Sequence, residues 1–237
     1  MDESRRQFLI GGLGLLMAGC AGCISRNVPP LPPESGGSAR PPRPDASSSP
    51  SRTGGSDGAG PSAGVGSPPN LDALPRTRWT RAKPDVKSTS PMNGISRITV
   101  HHEGHTPVYF SDTDSTIQRL EAIRRTHVER FGWADIGYHY IIDRAGRLWA
   151  GRDIGLQGAH ARRENEHNIG VMLLGNFGTQ TPTDAQYRAL HRTLNLLMSH
   201  YRVPVSRLYT HRELPNQATA CPGERLQEYM VRVRRRS

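Results

Sequence analysis

Three side chains in this sequence could grip one metal ion. His101 ends the apolar run Ile98-Thr99-Val100, and His211 and Cys221 bracket a segment that begins 110 positions further on. Two neutral imidazoles and one thiolate suit the borderline softness of zinc. With only three protein ligands a fourth position stays open, the arrangement of catalytic rather than structural zinc. An ion held this way keeps a net positive charge, polarises a carbonyl and acidifies coordinated water toward neutral pH. The chemistry to expect is therefore hydrolysis. A closed structural site would need another ligand, and His102 is the only contender nearby. Residues 75–237 hold Cys221 alone, so no disulfide can form within them.

These residues need a scaffold. Arg97 to His101 reads as a short buried strand with polar residues at its end. Ile117, Leu120, Ile123, Val128 and Phe131 recur at near-helical spacing after capping residues at Ser111 to Thr113. Tyr138 to Asp143 reads as a strand, Arg144-Ala145-Gly146 as a turn, and Arg147 to Gly151 as its hairpin partner. Ile169 to Leu174 is a continuous apolar run, as in a central strand buried on both faces. Thr181-Pro182-Thr183-Asp184 opens a second long helix, with Pro182 in its first turn and Tyr187, Leu190, Leu194, Leu197 and Tyr201 on one face. A short strand near Leu208 to Thr210 leads into the His211 loop, and a last helix starts near Glu224. The expected class is α/β: a central mixed β-sheet flanked by about three helices. The sites fall at strand ends and in the loops that follow, where rigid scaffolds hold catalytic groups.

The rest of the chain addresses this domain. Residues 27–74 contain eleven Pro, eight Gly and nine Ser with no aromatic residue. Such a segment cannot bury enough apolar surface to fold, and it reads as a disordered tether. Residues 1–26 resemble a twin-arginine export signal: Arg5-Arg6-Gln7-Phe8-Leu9 precedes an apolar run too short to span a bilayer. Leu16-Met17-Ala18-Gly19-Cys20 resembles a lipobox, with Cys23 a poorer alternative. An exported lipoprotein is expected, anchored through acyl chains on Cys20 and facing the periplasm or cell envelope. The first 74 residues carry six basic and six acidic groups, so the net charge of +10 belongs to residues 75–237. That charge suits an anionic partner such as an acidic wall polymer. No zinc-finger or stacking-aromatic pattern accompanies it, which argues against nucleic acid. A single domain acting as a monomer is expected.

The domain, from about residue 76 onward, resembles the zinc-dependent N-acetylmuramoyl-L-alanine amidases of the peptidoglycan recognition protein and phage-lysozyme type. The resemblance rests on Arg78-Trp79, taken as a shortened R-x-x-W. It continues through Ile98 to His102, the segment from Gly132-Trp133 to Tyr140, Gly151-Arg152, Gly158-Ala159-His160, Asn168 to Val171 and Leu174 to Phe177. It closes with His211-Arg212-Glu213 and Thr219-Ala220-Cys221-Pro222-Gly223. It implies one zinc ion on His101, His211 and Cys221, with Tyr138 and Thr219 as catalytic residues beside the reacting carbonyl. It implies Gly132, Trp133, Arg152 and His160 as substrate-binding residues, and peptidoglycan stems of the meso-diaminopimelate type as partners. Arg152 could pair with the extra carboxylate of that residue. Glu103 departs from the Thr or Ser of many relatives, the His211–Cys221 loop is two residues longer than in many animal ones, and their disulfide is absent. The activity implied is hydrolysis of the amide between the lactyl group of N-acetylmuramic acid and L-alanine; the alternative is a peptidoglycan-binding module without turnover.

Overall fold

The computed structural model describes residues 65–236. The expected export signal, Cys20, Cys23 and most of the tether lie outside the described residues. Five strands form one sheet: β1 (Arg97–His102), β2 (Tyr140–Ile142), β3 (Leu148–Ala150), β4 (Asn168–Leu173) and β5 (Leu208–Thr210). Their order is β3-β2-β4-β1-β5, with β3 antiparallel to β2 and the other pairings parallel. Every residue of β4 is buried, as its unbroken apolar run requires.

Side chains alternate across the sheet, so each strand feeds two cores. Ile98, Val100, Tyr140, Ile142, Ile169, Val171 and Leu173 face one side. There they meet α2 (Asp184–Tyr201) and α3 (Glu224–Arg236) through Leu190, Leu194, Leu197, Leu226 and Met230. Ile141, Met172 and Leu174 face the other side and meet Leu120 and Ile123 of α1 (Thr113–Arg125). His101 alternates with Val100 and so belongs to the α1 side. Three helices therefore flank a mixed sheet.

Several boundaries differ from the sequence reading for local reasons. Asp112 caps α1 by accepting from the Ser115 N–H, and after Arg125 the chain widens into a π-turn, Thr126–Arg130, so Val128 and Phe131 lie beyond the α-helix. The cap of α2 is Thr183, which exchanges a reciprocal pair of bonds with Gln186; Pro182 precedes the cap rather than sitting in the first turn. The last part of the tether is not free chain. Leu71 and Ala73 pack against the core, and Leu74 bonds across to Leu148 and Ala150, because this end of the Pro/Gly/Ser-rich segment carries apolar side chains. The R-x-x-W pattern is not shortened either. Arg76, not the exposed Arg78, lies 4.9 Å over the Trp79 ring and bonds Asp135 at 2.8 Å. Among the described residues, no helix is long and apolar enough to cross a membrane.

Candidate metal centre

The site forms where β1 ends and the chain leaving β5 turns. Parallel pairing of β1 with β5 aligns Val100 with Thr210, so the next residues, His101 and His211, emerge side by side. Their ring centroids are 4.6 Å apart. His211 opens a short 3-10 turn held by a reciprocal pair of bonds between Thr210 and Glu213. Burial would push the Glu213 carboxyl up, but hydrogen bonds from Arg234, the Thr210 N–H and Gln227 outweigh it and hold the carboxyl down at about 2. The chain then loops out and returns Cys221, whose Sγ accepts from the His102 backbone N–H at 3.4 Å.

The ligand atoms of His101, His211 and Cys221 all lie within 4.8 Å of one another. The Sγ of Cys221 is 3.7 Å from Nδ1 of His101. Two donors bound tetrahedrally to zinc, nitrogen at about 2.05 Å and sulfur at about 2.3 Å, sit roughly 3.6 Å apart. The spacing, two nitrogens and one sulfur thus fit a single zinc ion. Burial, then the neighbouring His211 and His160, keep the His101 imidazole well below its ordinary titration range, and burial also lowers His211. Both rings are therefore neutral near pH 7, the form that ligates. His102 stands outside the cluster, and its Nδ1 accepts the Phe177 N–H at 3.1 Å.

The other expected residues divide into two groups. Tyr138 stands beside the cluster, its ring 5.2 Å from that of His101. Thr219 lies two residues before Cys221 and braces it, its hydroxyl oxygen accepting the Cys221 N–H at 3.1 Å. Gly132 is exposed with a φ of 68°, a conformation that favours glycine, and the half-buried Trp133 leans on His127 at 4.6 Å. Arg152 differs from expectation. It is 5% exposed, and its guanidinium donates to the carbonyls of Ile136, Asp135 and Gln157 at 2.8, 3.0 and 2.8 Å. Burial lowers it to about 10, so it stays charged, but its bonds hold backbone rather than waiting for a ligand carboxylate. His160 also lies deeper than a groove-lining residue. It is buried behind His101, with Nδ1 3.1 Å from the His101 Nε2. A Cβ at Gly158 or Gly170 would come within 2.5 Å of the His160 ring, which explains glycine at both positions.

Three residues near the site have contacts that the sequence did not foretell, and two of them, Arg234 and Gln217, were not singled out at all. Glu103 is ion-paired in the interior with Arg119; burial raises its carboxyl while Arg119 opposes the shift. Arg234 belongs to the basic end of the chain yet holds both oxygens of Glu213 at 2.5 Å. Gln217 touches His211 itself, at 3.1 Å.

A mixed sheet between α1 on one side and α2 and α3 on the other is the fold of peptidoglycan recognition proteins and type-2 amidases, and this chain sets a two-histidine, one-cysteine cluster at its end. The chain belongs to the N-acetylmuramoyl-L-alanine amidase family Amidase_2, whose model matches residues 91–224. It is 35% identical to peptidoglycan-recognition protein SC2 of Drosophila melanogaster over 139 residues, 58% of this chain and 73% of that protein. It is 31% identical to an N-acetylmuramoyl-L-alanine amidase of Sus scrofa over 160 residues, 64% of this chain and 25% of that longer protein. Among solved structures, a mutant of Drosophila PGRP-LB in complex with tracheal cytotoxin superposes with a TM-score of 0.60 at 26% identity, covering 68% of this chain and 96% of that one.

Proposed function

We propose that this protein is a zinc-dependent N-acetylmuramoyl-L-alanine amidase, cleaving the amide between the lactyl group of N-acetylmuramic acid and L-alanine in peptidoglycan. The observation that carries the reading is the His101–His211–Cys221 cluster, whose 3.7 Å nitrogen–sulfur spacing suits one ion while, among the described residues, no fourth side chain joins it. Bound zinc supplies Lewis-acid polarisation and an acidified water. The chain's own residues do the rest. Tyr138, whose ring stands 5.2 Å from that of His101, would hydrogen-bond the reacting groups and stabilise developing negative charge. The Thr219 hydroxyl, whose oxygen already accepts from Cys221, can turn its hydrogen toward the substrate carbonyl.

The likeness to a PGRP-LB structure that holds tracheal cytotoxin, and the Gly132-Trp133 pair, favour stem peptides of the meso-diaminopimelate type. The excess positive charge suits an anionic glycopeptide. We further propose that the protein is exported and works from a lipid anchor on Cys20; Cys20→Ala should release it from membranes, and full membrane retention would refute the anchor. Activity is tested by incubating the protein with muropeptides, with and without a chelator, and weighing the products. Free stem peptides that vanish on chelation support the reading. Binding without release of stems overturns it in favour of a recognition module.

A further inference from the structure

A histidine ligates metal through one ring nitrogen, and the hydrogen-bond partner of the other nitrogen decides which one is available. At this centre those partners can be read from the chain. The Gln217 side chain faces three groups. Its amide nitrogen donates to the carbonyls of Arg162 at 2.8 Å and Pro215 at 3.2 Å. Both are pure acceptors, so the amide can be oriented only one way, and its oxygen faces Nε2 of His211 at 3.1 Å. A carboxamide oxygen only accepts. Nε2 of His211 therefore carries the hydrogen, and Nδ1 is left with the lone pair that a metal requires.

The same logic runs through His101 by another route. Nε2 of His160 lies 3.2 Å from the backbone carbonyl of Asn168, an acceptor, so that nitrogen is protonated. Nδ1 of neutral His160 must then accept, and it receives the hydrogen of His101 Nε2 at 3.1 Å. Nδ1 of His101 is left unprotonated, and it is the atom 3.7 Å from Cys221 Sγ. Two unrelated partners thus leave the lone pair on the same nitrogen of both rings. His160 is wedged between glycines and cannot be altered without disturbing the core. Gln217 lies half-exposed in the loop between His211 and Cys221, so its contribution can be isolated.

We infer that Gln217 is a positioning residue that fixes the tautomer and orientation of His211 for metal binding through Nδ1, an inference that rests on the zinc reading proposed above. The test is the Zn2+ affinity of the full-length protein, measured by competition with a chromophoric chelator, for wild type, Gln217→Ala and Gln217→Glu. Gln217→Ala removes the acceptor and should weaken affinity about 10- to 100-fold, the usual effect of losing such a partner. Gln217→Glu keeps an oxygen opposite Nε2 but gives up both donor bonds to the Arg162 and Pro215 carbonyls, so it should recover only part of the loss and bind zinc at least about threefold more tightly than Gln217→Ala. Both variants give up those two exposed donor bonds, so the metal-free thermal midpoint should fall equally in both and should not follow zinc affinity. The inference is overturned if Gln217→Ala binds zinc as tightly as wild type. It is equally overturned if Gln217→Glu loses as much as Gln217→Ala, or if the metal-free midpoint falls in step with affinity, since Gln217 would then merely hold the loop. A wild-type protein that binds no zinc sinks the metal centre itself, and this inference with it.

Discussion

Arg152 offers the sharpest test of how the groove is built. If its guanidinium holds backbone, replacing it damages the fold before it changes recognition. Its three bonds reach the carbonyls of Asp135 and Ile136, just before Gly137 and Tyr138, and of Gln157, just before Gly158. Arg152→Ala orphans two buried acceptors and one part-buried acceptor, and at about 1–3 kcal/mol for each buried group left unpaired the loss is on the order of 3–5 kcal/mol after partial hydration of the third. Arg152→Lys keeps the charge but cannot span three acceptors with one ammonium, so it should lose about 2 kcal/mol or more. Urea denaturation followed by tryptophan fluorescence gives the stability, and kcat/KM on diaminopimelate-containing and lysine-containing stems gives the recognition. Both stems should suffer alike. A lysine variant of wild-type stability that loses activity only on diaminopimelate stems would refute the reasoning and return Arg152 to carboxylate binding.

Acid should unfold the domain through histidines that the fold keeps neutral. His127 and His139 are fully buried; burial, assisted by Arg152, holds them down at about 3 and about 4, in the second case against an opposing bond to the Leu156 carbonyl. Their folded values lie below the ordinary 6.5, so this stability is present above pH 6.5 and is lost as pH falls toward 4, at about 1.4 kcal/mol per pH unit for each group. His139→Gln should flatten the urea-midpoint profile by about one proton below pH 6, and an unchanged profile would show that His139 takes no part. Arg234→Ala removes the clamp on Glu213 and with it support for the His211 turn; stability should drop by about 1–3 kcal/mol and zinc retention should weaken, as differential scanning fluorimetry with and without zinc would reveal. Tyr138→Phe should lower kcat by roughly 10²–10³ with KM little changed, and steady-state kinetics at saturating zinc would detect it.

Much of this was legible in the residues. The unbroken run Ile169 to Leu174 could only be a strand covered on both faces, and β4 is that strand. That His101, His211 and Cys221 would converge was readable because two histidines and a lone cysteine, at strand ends and in the loop that follows, are a rare combination with a definite chemistry. The supporting residues were not, because their roles come from register rather than residue type. Nothing about Gln217 in sequence says that it will face His211, since that depends on where the carbonyls of Arg162 and Pro215 fall. Arg152 read as a free cation because burial is invisible in a motif. Nothing in the run of arginines at the end of the chain marks out Arg234, because its partner, Glu213, lies 21 positions away. The end of the tether was misjudged by composition, which averages Leu71 and Leu74 into a run of Pro, Gly and Ser.

X-ray absorption at the zinc edge on the purified, zinc-loaded protein tests the central claim most directly. The spectrum should show one ion per chain with one sulfur at about 2.3 Å and two imidazole nitrogens at about 2.0–2.1 Å, plus one light atom from solvent. The sulfur shell should be absent in Cys221→Ser. A first shell without sulfur, a site closed by four protein ligands, or a protein that takes up no zinc would contradict it.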